Sequence, residues 1–401
     1  MSLDLNTGIG VSVLTDSYKA GAEAAGKALK ELGQKKADVL MVFAAPKFKQ
    51  QKMVNGIKSV TKNIPMIGGT TAGEISTQGL SVKSVVVMAI NSKDIEFYVG
   101  QGKNIAKNEV NAGKQLAKNV LKKASKKNAN TLVMLPDGLA GDGLAVIQGA
   151  QKVLGESFEI VGGSLGDESD FKHTYQYYNG KVYDNTVVGM LICGGKKIKT
   201  ATGVRSGWES IGNRFKSTKS KGNVVYKFGN KKALDFYREL LGKERGKKLP
   251  AIGLEYPMGL IDERAKIEGY DYFQIRCPVG IDEKAGSVTF AASIPEGKEV
   301  TLTYSSRSTI INGSKLSAMQ AKKTLKGKAR LIMMFSCVAR KMVLGRRTNE
   351  EVNLVKSVFG KNVPIVGFYT YGEIGPIDKR VPTLRNTRWH NETVVLYVLG
   401  E

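Results

Sequence analysis

VPIVGFYTYGEI, Val363 to Ile374, shares its skeleton with IPMIGGTTAGEI, Ile64 to Ile75. One offset of 299 sets Pro364 on Pro65, Gly367 on Gly68, Thr370 on Thr71 and Gly372-Glu373-Ile374 on Gly73-Glu74-Ile75. Six coincidences without a gap point to an internal repeat. A weaker third copy is EIVGGSLGDES, Glu159 to Ser169, with its glycine pair, a hydroxyl at Ser164 and an acid at Glu168.

The flanks carry the same order. Upstream lie the apolar runs ADVLMVFAAP from Ala37, ANTLVMLPDG from Ala129 and ARLIMMFSCVAR from Ala329, each followed by a segment of helical spacing. Downstream lie KSVVVMAI from Lys83, NTVVGMLI from Asn185 and NETVVLYVL from Asn391. Short β-branched runs bounded by Gly, Pro or Asn fit buried strands. The expected fold is α/β, of a mixed α+β kind: repeated strand-helix-strand units in mixed sheets, plus an inserted small α+β module. The expected division is an N-terminal domain, 1–199, with two units, and a C-terminal domain, 200–401. Within the latter, the module takes about 200–295 and the third unit about 296–401.

With 401 residues, 42% hydrophobic and 24% charged, the chain can bury full cores without a disulfide or metal staple. Cys193, Cys277 and Cys337 lie far apart in apolar runs, which suits neither a disulfide framework nor a zinc site. A reducing, cytoplasmic compartment is expected. The start has no charged and apolar leader pattern, and no run reaches the roughly 18 apolar residues of a membrane span, so no membrane partner is expected. The net charge is +25. Its lysines are dispersed in pairs such as Lys35-Lys36 and Lys322-Lys323, without a nucleic-acid motif, so a solvated basic surface is expected rather than a nucleic-acid site.

GVSVL, Gly10 to Leu14, reads as a first strand, with Thr15 or Asp16 capping an Ala-rich helix to about Leu32. Within it GAEAAGKA, Gly21 to Ala28, imitates a phosphate loop, but Ala28 stands where a metal-binding Ser or Thr belongs. The repeated glycine motifs allow two readings: loops at strand carboxyl ends that approach a ligand, or tight internal turns. Asp137 and Asp142 among glycines read as turn formers, and Asn179-Gly180 as a hairpin turn. From about Lys196 the pattern breaks into KIKTATGV, the GWESIG turn, NVVYKFGN, a helix KKALDFYRELLG and the strands YFQIRCPVGID and SVTFAASI; KEVTLTYSS is read as the restart.

Taken in order, GGTTAGEI, DGLAGDG, GGSLGDES, GWESIG, GNVVYKFG with ALDFYRELLG, FSCVARKMVLG, GFYTYGEI and HNETVVLYVL resemble the FIST family, whose members carry an N-terminal and a C-terminal FIST domain. The resemblance spans nearly the whole chain. It implies an intracellular sensory protein that binds a small molecule such as an amino acid, with some members resembling haem-dependent nitric oxide sensors. One departure is Lys227-Phe228-Gly229-Asn230-Lys231-Lys232-Ala233, where the family tends to have an acid and a Pro-Ala before the helix. No kinase, cyclase or F-box segment is appended, so the expected output acts in trans, on a signalling protein such as a sensor kinase.

The sensory reading places a ligand among Thr70, Thr71 and Glu74 of the first unit, Asp137, Ser164 and Asp167 of the second, and Ser336, Cys337, Arg340, Tyr369, Thr370 and Glu373 of the third. Arg340 and Glu373 are the candidates for the charged ends of a zwitterion, Arg binding a carboxylate and Glu an ammonium. The competing reading is a repeated turn with a structural Arg-Glu pair. No cofactor is expected. Two alternatives stay open: haem with His390 as axial ligand, and a Cys-dependent enzyme with Cys337 activated by Arg340.

Overall fold

The computed structural model describes residues 2–122, 124, 126–263 and 273–401. The first unit runs β1 (Leu5–Ser12), α1 (Ser17–Leu32), β2 (Val39–Ala44), α2 (Gln50–Thr61), β3 (Met66–Thr70), β4 (Glu74–Ser76), β5 (Gly79–Ser81) and β6 (Val85–Ser92). The second runs β7 (Glu96–Lys103), α3 (Glu109–Leu121), β8 (Ala129–Pro136), α4 (Gly143–Leu154), β9 (Glu159–Gly163), β10 (Gln176–Tyr178), β11 (Lys181–Tyr183) and β12 (Thr186–Cys193). A strand β13 (Lys199–Arg205) then precedes the insert: β14 (Glu209–Lys221), β15 (Val224–Phe228), β16 (Lys231–Lys232), α5 (Ala233–Leu241), α6 (Lys243–Gly246), β17 (Met258–Ile261), β18 (Phe273–Arg276), β19 (Pro278–Asp282), β20 (Ser287–Phe290) and β21 (Glu299–Tyr304). The chain closes with α7 (Arg307–Leu325), β22 (Ala329–Cys337), α8 (Val338–Leu344), α9 (Asn349–Phe359), β23 (Ile365–Thr370), β24 (Glu373–Gly375), β25 (Arg388–His390) and β26 (Val394–Gly400).

Three six-stranded sheets share one order: β1-β6-β2-β3-β10-β11, β7-β12-β8-β9-β24-β25 and β13-β26-β22-β23-β4-β5. The last two strands of each sheet come from another unit. The first unit gives the pair β4 and β5 to the third, the second gives β10 and β11 to the first, and the third gives β24 and β25 to the second. Each sheet is therefore mixed, with one parallel pair such as β2 and β3 and antiparallel partners around it.

The pleat explains how the layers form, because alternate residues of each strand face opposite sides. Met41 and Phe43, Val133 and Leu135, and Met333 and Phe335 point into one shared apolar core. Their neighbours face the helices, as Leu40 and Val42 do toward Met53 and Ile57 of α2. The helices thus lie outside three sheets packed inner face to inner face.

Local expectations hold where the chemistry is short-range. Asp16 caps α1 by accepting from the Lys19 amide at 2.8 Å. Gly21 lies in that helix, where a Cβ would stand 2.1 Å from the Met53 carbonyl oxygen of α2; the glycine serves helix packing rather than a phosphate. Asn179 and Gly180, at φ 47° and 78°, turn the β10–β11 hairpin.

Two strands pair differently from expectation. KIKTATGV holds β13, which pairs along its length with β26 and thus opens the third sheet rather than the insert. KEVTLTYSS holds β21, which pairs with β14 and β17 inside the insert rather than restarting the third unit. Both runs alternate equally well, and only the partner decides their place. YFQIRCPVGID is two strands, β18 and β19, with its first residue, Tyr272, outside the described residues. Among the described residues no helix is long and apolar enough to cross a membrane.

Candidate functional site

The strand-end loops of all three units meet at one end of the core and are knitted backbone to backbone. Thr70 accepts at its side chain from the Tyr175 amide at 2.9 Å, and its own amide donates to the Tyr175 carbonyl. The Ser164 amide donates to Gly372, the Tyr371 amide to Ser164, the Ala72 amide to Tyr369 and the Tyr369 amide to Gly73. Each bond joins one unit to the next.

Glu74 and Glu373 sit at this seam as matched, buried carboxyls. Glu74 accepts from Thr71 at 2.7 Å and from the Ser84 hydroxyl at 2.6 Å; Glu373 accepts from Thr370 and from the Thr393 amide and hydroxyl at 3.1 and 2.8 Å. Burial pushes both up to about 7, against the hydrogen bonds that favour the charged form. The second unit has Gln176 in this place: it pairs with Gly69 as Glu74 pairs with Phe368 and Glu373 with Gly163, and accepts from the Thr186 amide at 3.2 Å. Glu168, set beside these acids by ungapped alignment, lies elsewhere, because a longer loop separates β9 from β10.

The remaining expected residues have structural partners as well. Asp137 accepts from the amides of Leu139 and Asn185 and from Gln176. Asp167 accepts from the amides of Phe171, Lys172 and His173 and from the Tyr371 hydroxyl. Arg340 does not face Glu373. Its guanidinium is wholly buried on Glu351, the Ser206 and Ile310 carbonyls and Ser314, while Glu351 also accepts from Tyr369 at 2.9 Å and Ser336 at 3.3 Å. All three guanidinium nitrogens of Arg340 thus already donate to protein acceptors, which leaves it unsuited to a zwitterion's carboxylate.

Cys337 is a buried free thiol. Burial pushes it well above the ordinary thiol range and Glu373 and Glu392 push it further, so the expected activation by Arg340 does not occur. His390 is also enclosed, with Nε2 2.9 Å from the Gly375 carbonyl oxygen. Burial pushes its imidazole down to about 4. A ring nitrogen held this way, in a fully packed place, does not fit an axial haem ligand. Among the described residues no three His, Cys, Asp or Glu side chains are grouped to hold a metal.

The residues next in sequence reach the seam from the open side. Lys341, one step beyond Arg340 on α8, is half-buried and donates to the Ala72 carbonyl at 2.6 Å. Burial lowers its ammonium from the ordinary range, and Glu168 and then Glu74 counter that. Gly73 leaves it room, since a Cβ there would stand 3.1 Å from Nζ. Glu168 has φ 59°, and its Oε1 is buried without a hydrogen-bond partner. Tyr371, two steps beyond Tyr369, accepts from the amides of Asp167 and Ser169 and stacks at 4.5 Å on Phe171, which is 58% exposed. Lys341, Glu168 and Tyr371 are the residues sequence reasoning missed; the signal was their adjacency to residues already singled out.

The family model described as FIST N domain matches residues 38–231, and the one described as FIST C domain matches residues 233–376. The chain belongs to the FIST family. The border between the two FIST matches falls inside the insert, between β16 and α5. FIST membership points to a sensory role rather than catalysis. An uncharacterized protein of Mycobacterium tuberculosis (strain CDC 1551 / Oshkosh) is 24% identical over 220 residues, covering 54% of this chain and 56% of that protein. One of Mycobacterium bovis (strain ATCC BAA-935 / AF2122/97) is 23% identical over 223 residues, 55% of this chain and 56% of that protein. The chain spans about half the length of these curated relatives. Among solved structures, cyanuric acid hydrolase from A. caulinodans aligns over 99% of both chains with a TM-score of 0.42 and 7% identity, too slight a likeness to say anything of activity.

Proposed function

We propose that this FIST protein is a sensor of a small zwitterionic molecule, an amino acid or a close analogue, bound where the three units meet. Lys341 takes the carboxylate, Glu168 takes the ammonium, and Phe171 over Tyr371 offers an apolar face to the side group. The observation that carries the reading is the buried, unpartnered Oε1 of Glu168 beside a half-buried lysine, since a buried polar atom without a partner calls for one. Thr70, Thr71, Glu74, Ser164, Asp167, Thr370 and Glu373 hold the frame in this reading. The signal passes in trans to a protein partner such as a sensor kinase. Three unpaired cysteines accord with a reducing compartment.

A thermal-shift screen against amino acids, simple carboxylates and nucleotides tests it, repeated on Lys341→Met and Glu168→Gln. A ligand at a hundredfold excess over Kd adds about 2.7 kcal/mol of stability, which such a screen reads readily. An amino acid that stabilises the wild type and neither variant supports the site. Stabilisation that survives both substitutions moves the site elsewhere.

A further inference from the structure

One or two residues before the last strand of each unit, a corresponding residue has a left-handed φ: Lys83 at 54°, Asn185 at 46° and Glu392 at 55°. Lys83 is exposed, and the Asn185 Oδ1 accepts from the Ala106 amide at 2.8 Å, in the loop that follows β7. In the third unit the insert replaces the corresponding loop after β13. Glu392 is consequently enclosed, and its carboxylate has the weak Cys277 thiol beside it but, among the described residues, no oxygen or nitrogen donor within hydrogen-bond distance.

Among the described residues, no cation is paired with Glu392; the Cys277 thiol and, more distantly, Arg340 favour its charged form against burial and Glu373. From the insert come Tyr237 of α5 and Cys277, from the third unit Cys337, Arg340 and Glu373. Arg340 is committed to Glu351, and Glu373 is a second acid. The two thiols and the phenol carry no positive charge. An uncharged carboxyl can be held in such a place; an ionised one is repelled from it.

We propose that the insert, in its described residues 209–263 and 273–304, is a pH-responsive lid, closed on the third unit while Glu392 keeps its proton and released when that proton is lost. Closure is also held by the Arg388–Asp262 ion pair and by Phe273 and Ile275 packed in one cluster with Trp208, Ile310, Ile311 and Leu344. Burial also raises the Glu392 carboxyl well above the ordinary range. In the open form it regains an ordinary carboxyl's acidity. The open population therefore grows about tenfold per pH unit between the open and closed values. Opening uncovers Cys277 and Cys337. The lid does not depend on the zwitterion site.

The test is N-ethylmaleimide labelling of the full chain from pH 6 to 9, read residue by residue by mass spectrometry, in the wild type and in Glu392→Gln. The comparison at each pH cancels the thiol's own ionisation. The expected result is labelling of Cys277 and Cys337 that accelerates with pH in the wild type by at least about tenfold over the variant, with Cys193 labelled alike in both. Equal labelling of the two proteins, or full protection in the wild type throughout, overturns the proposal. Should Glu392→Gln fail to fold, Glu392→Asn, which installs the second unit's residue, takes its place with the same two outcomes.

Discussion

Glu74, Glu373 and Gln176 hold one position in three sheets, and the amide at Gln176 shows that the place needs hydrogen-bond acceptance but no charge. Both glutamates are raised from 4.5 to about 7, so the native protein keeps protons that the unfolded chain has released. Their contribution is whole below about pH 4.5 and is lost as pH rises through about 7. Urea unfolding at pH 5 and pH 8 should show a fall on the order of 1–3 kcal/mol per glutamate, absent for that residue in Glu74→Gln and Glu373→Gln. Unchanged pH dependence in the double variant contradicts the assignment. Arg340 behaves differently: Arg340→Ala leaves Glu351 buried without its cation and should cost roughly 3–5 kcal/mol in the same measurement. The residue types at the seam were legible in the repeated motif. The direction of each side chain was not: Arg340 turns inward to Glu351 and Lys341 outward to Ala72, a choice set by packing on either side of one short helix.

The hairpin is the element that ties the units together. β4 and β5 complete the third sheet, while the first sheet takes β10 and β11 from the second unit. A chain ending at Ser92 would lack two strands, leave its own hairpin unpaired and expose Met41, Phe43 and Ile67. It should give the circular dichroism and amide dispersion of an unfolded or aggregating chain; a monomer with native-like dispersion would show the exchange to be dispensable. The apolar runs and the Asn-Gly hairpin were legible because they rest on local pattern. The exchange was not, since a three-residue strand such as Glu74–Ser76 carries no mark of its partner. The same cause misplaced KIKTATGV and KEVTLTYSS, whose sheets were decided by β26 and β14.

For the molecule as a whole, the exchanged hairpins bring residues of three units to one seam, and the zwitterion reading depends on that convergence: Ala72 from the first, Glu168 from the second, Lys341 and Tyr371 from the third. Tyr371→Phe removes the hydroxyl that accepts from the Asp167 and Ser169 amides and donates to Asp167, and should cost roughly 1–3 kcal/mol in urea unfolding while weakening the ligand, since the ring that Phe171 stacks on is no longer tethered to the 167–169 loop. The most direct measurement is titration calorimetry of the amino acid that stabilises the wild type, set beside its two halves, the amine without the carboxylate and the carboxylate without the amine. The account predicts that the whole zwitterion binds at least about tenfold more tightly than either half, with Lys341→Met removing the advantage over the amine and Glu168→Gln the advantage over the carboxylate. Halves that bind as tightly as the whole molecule, or an advantage that survives both substitutions, would contradict it.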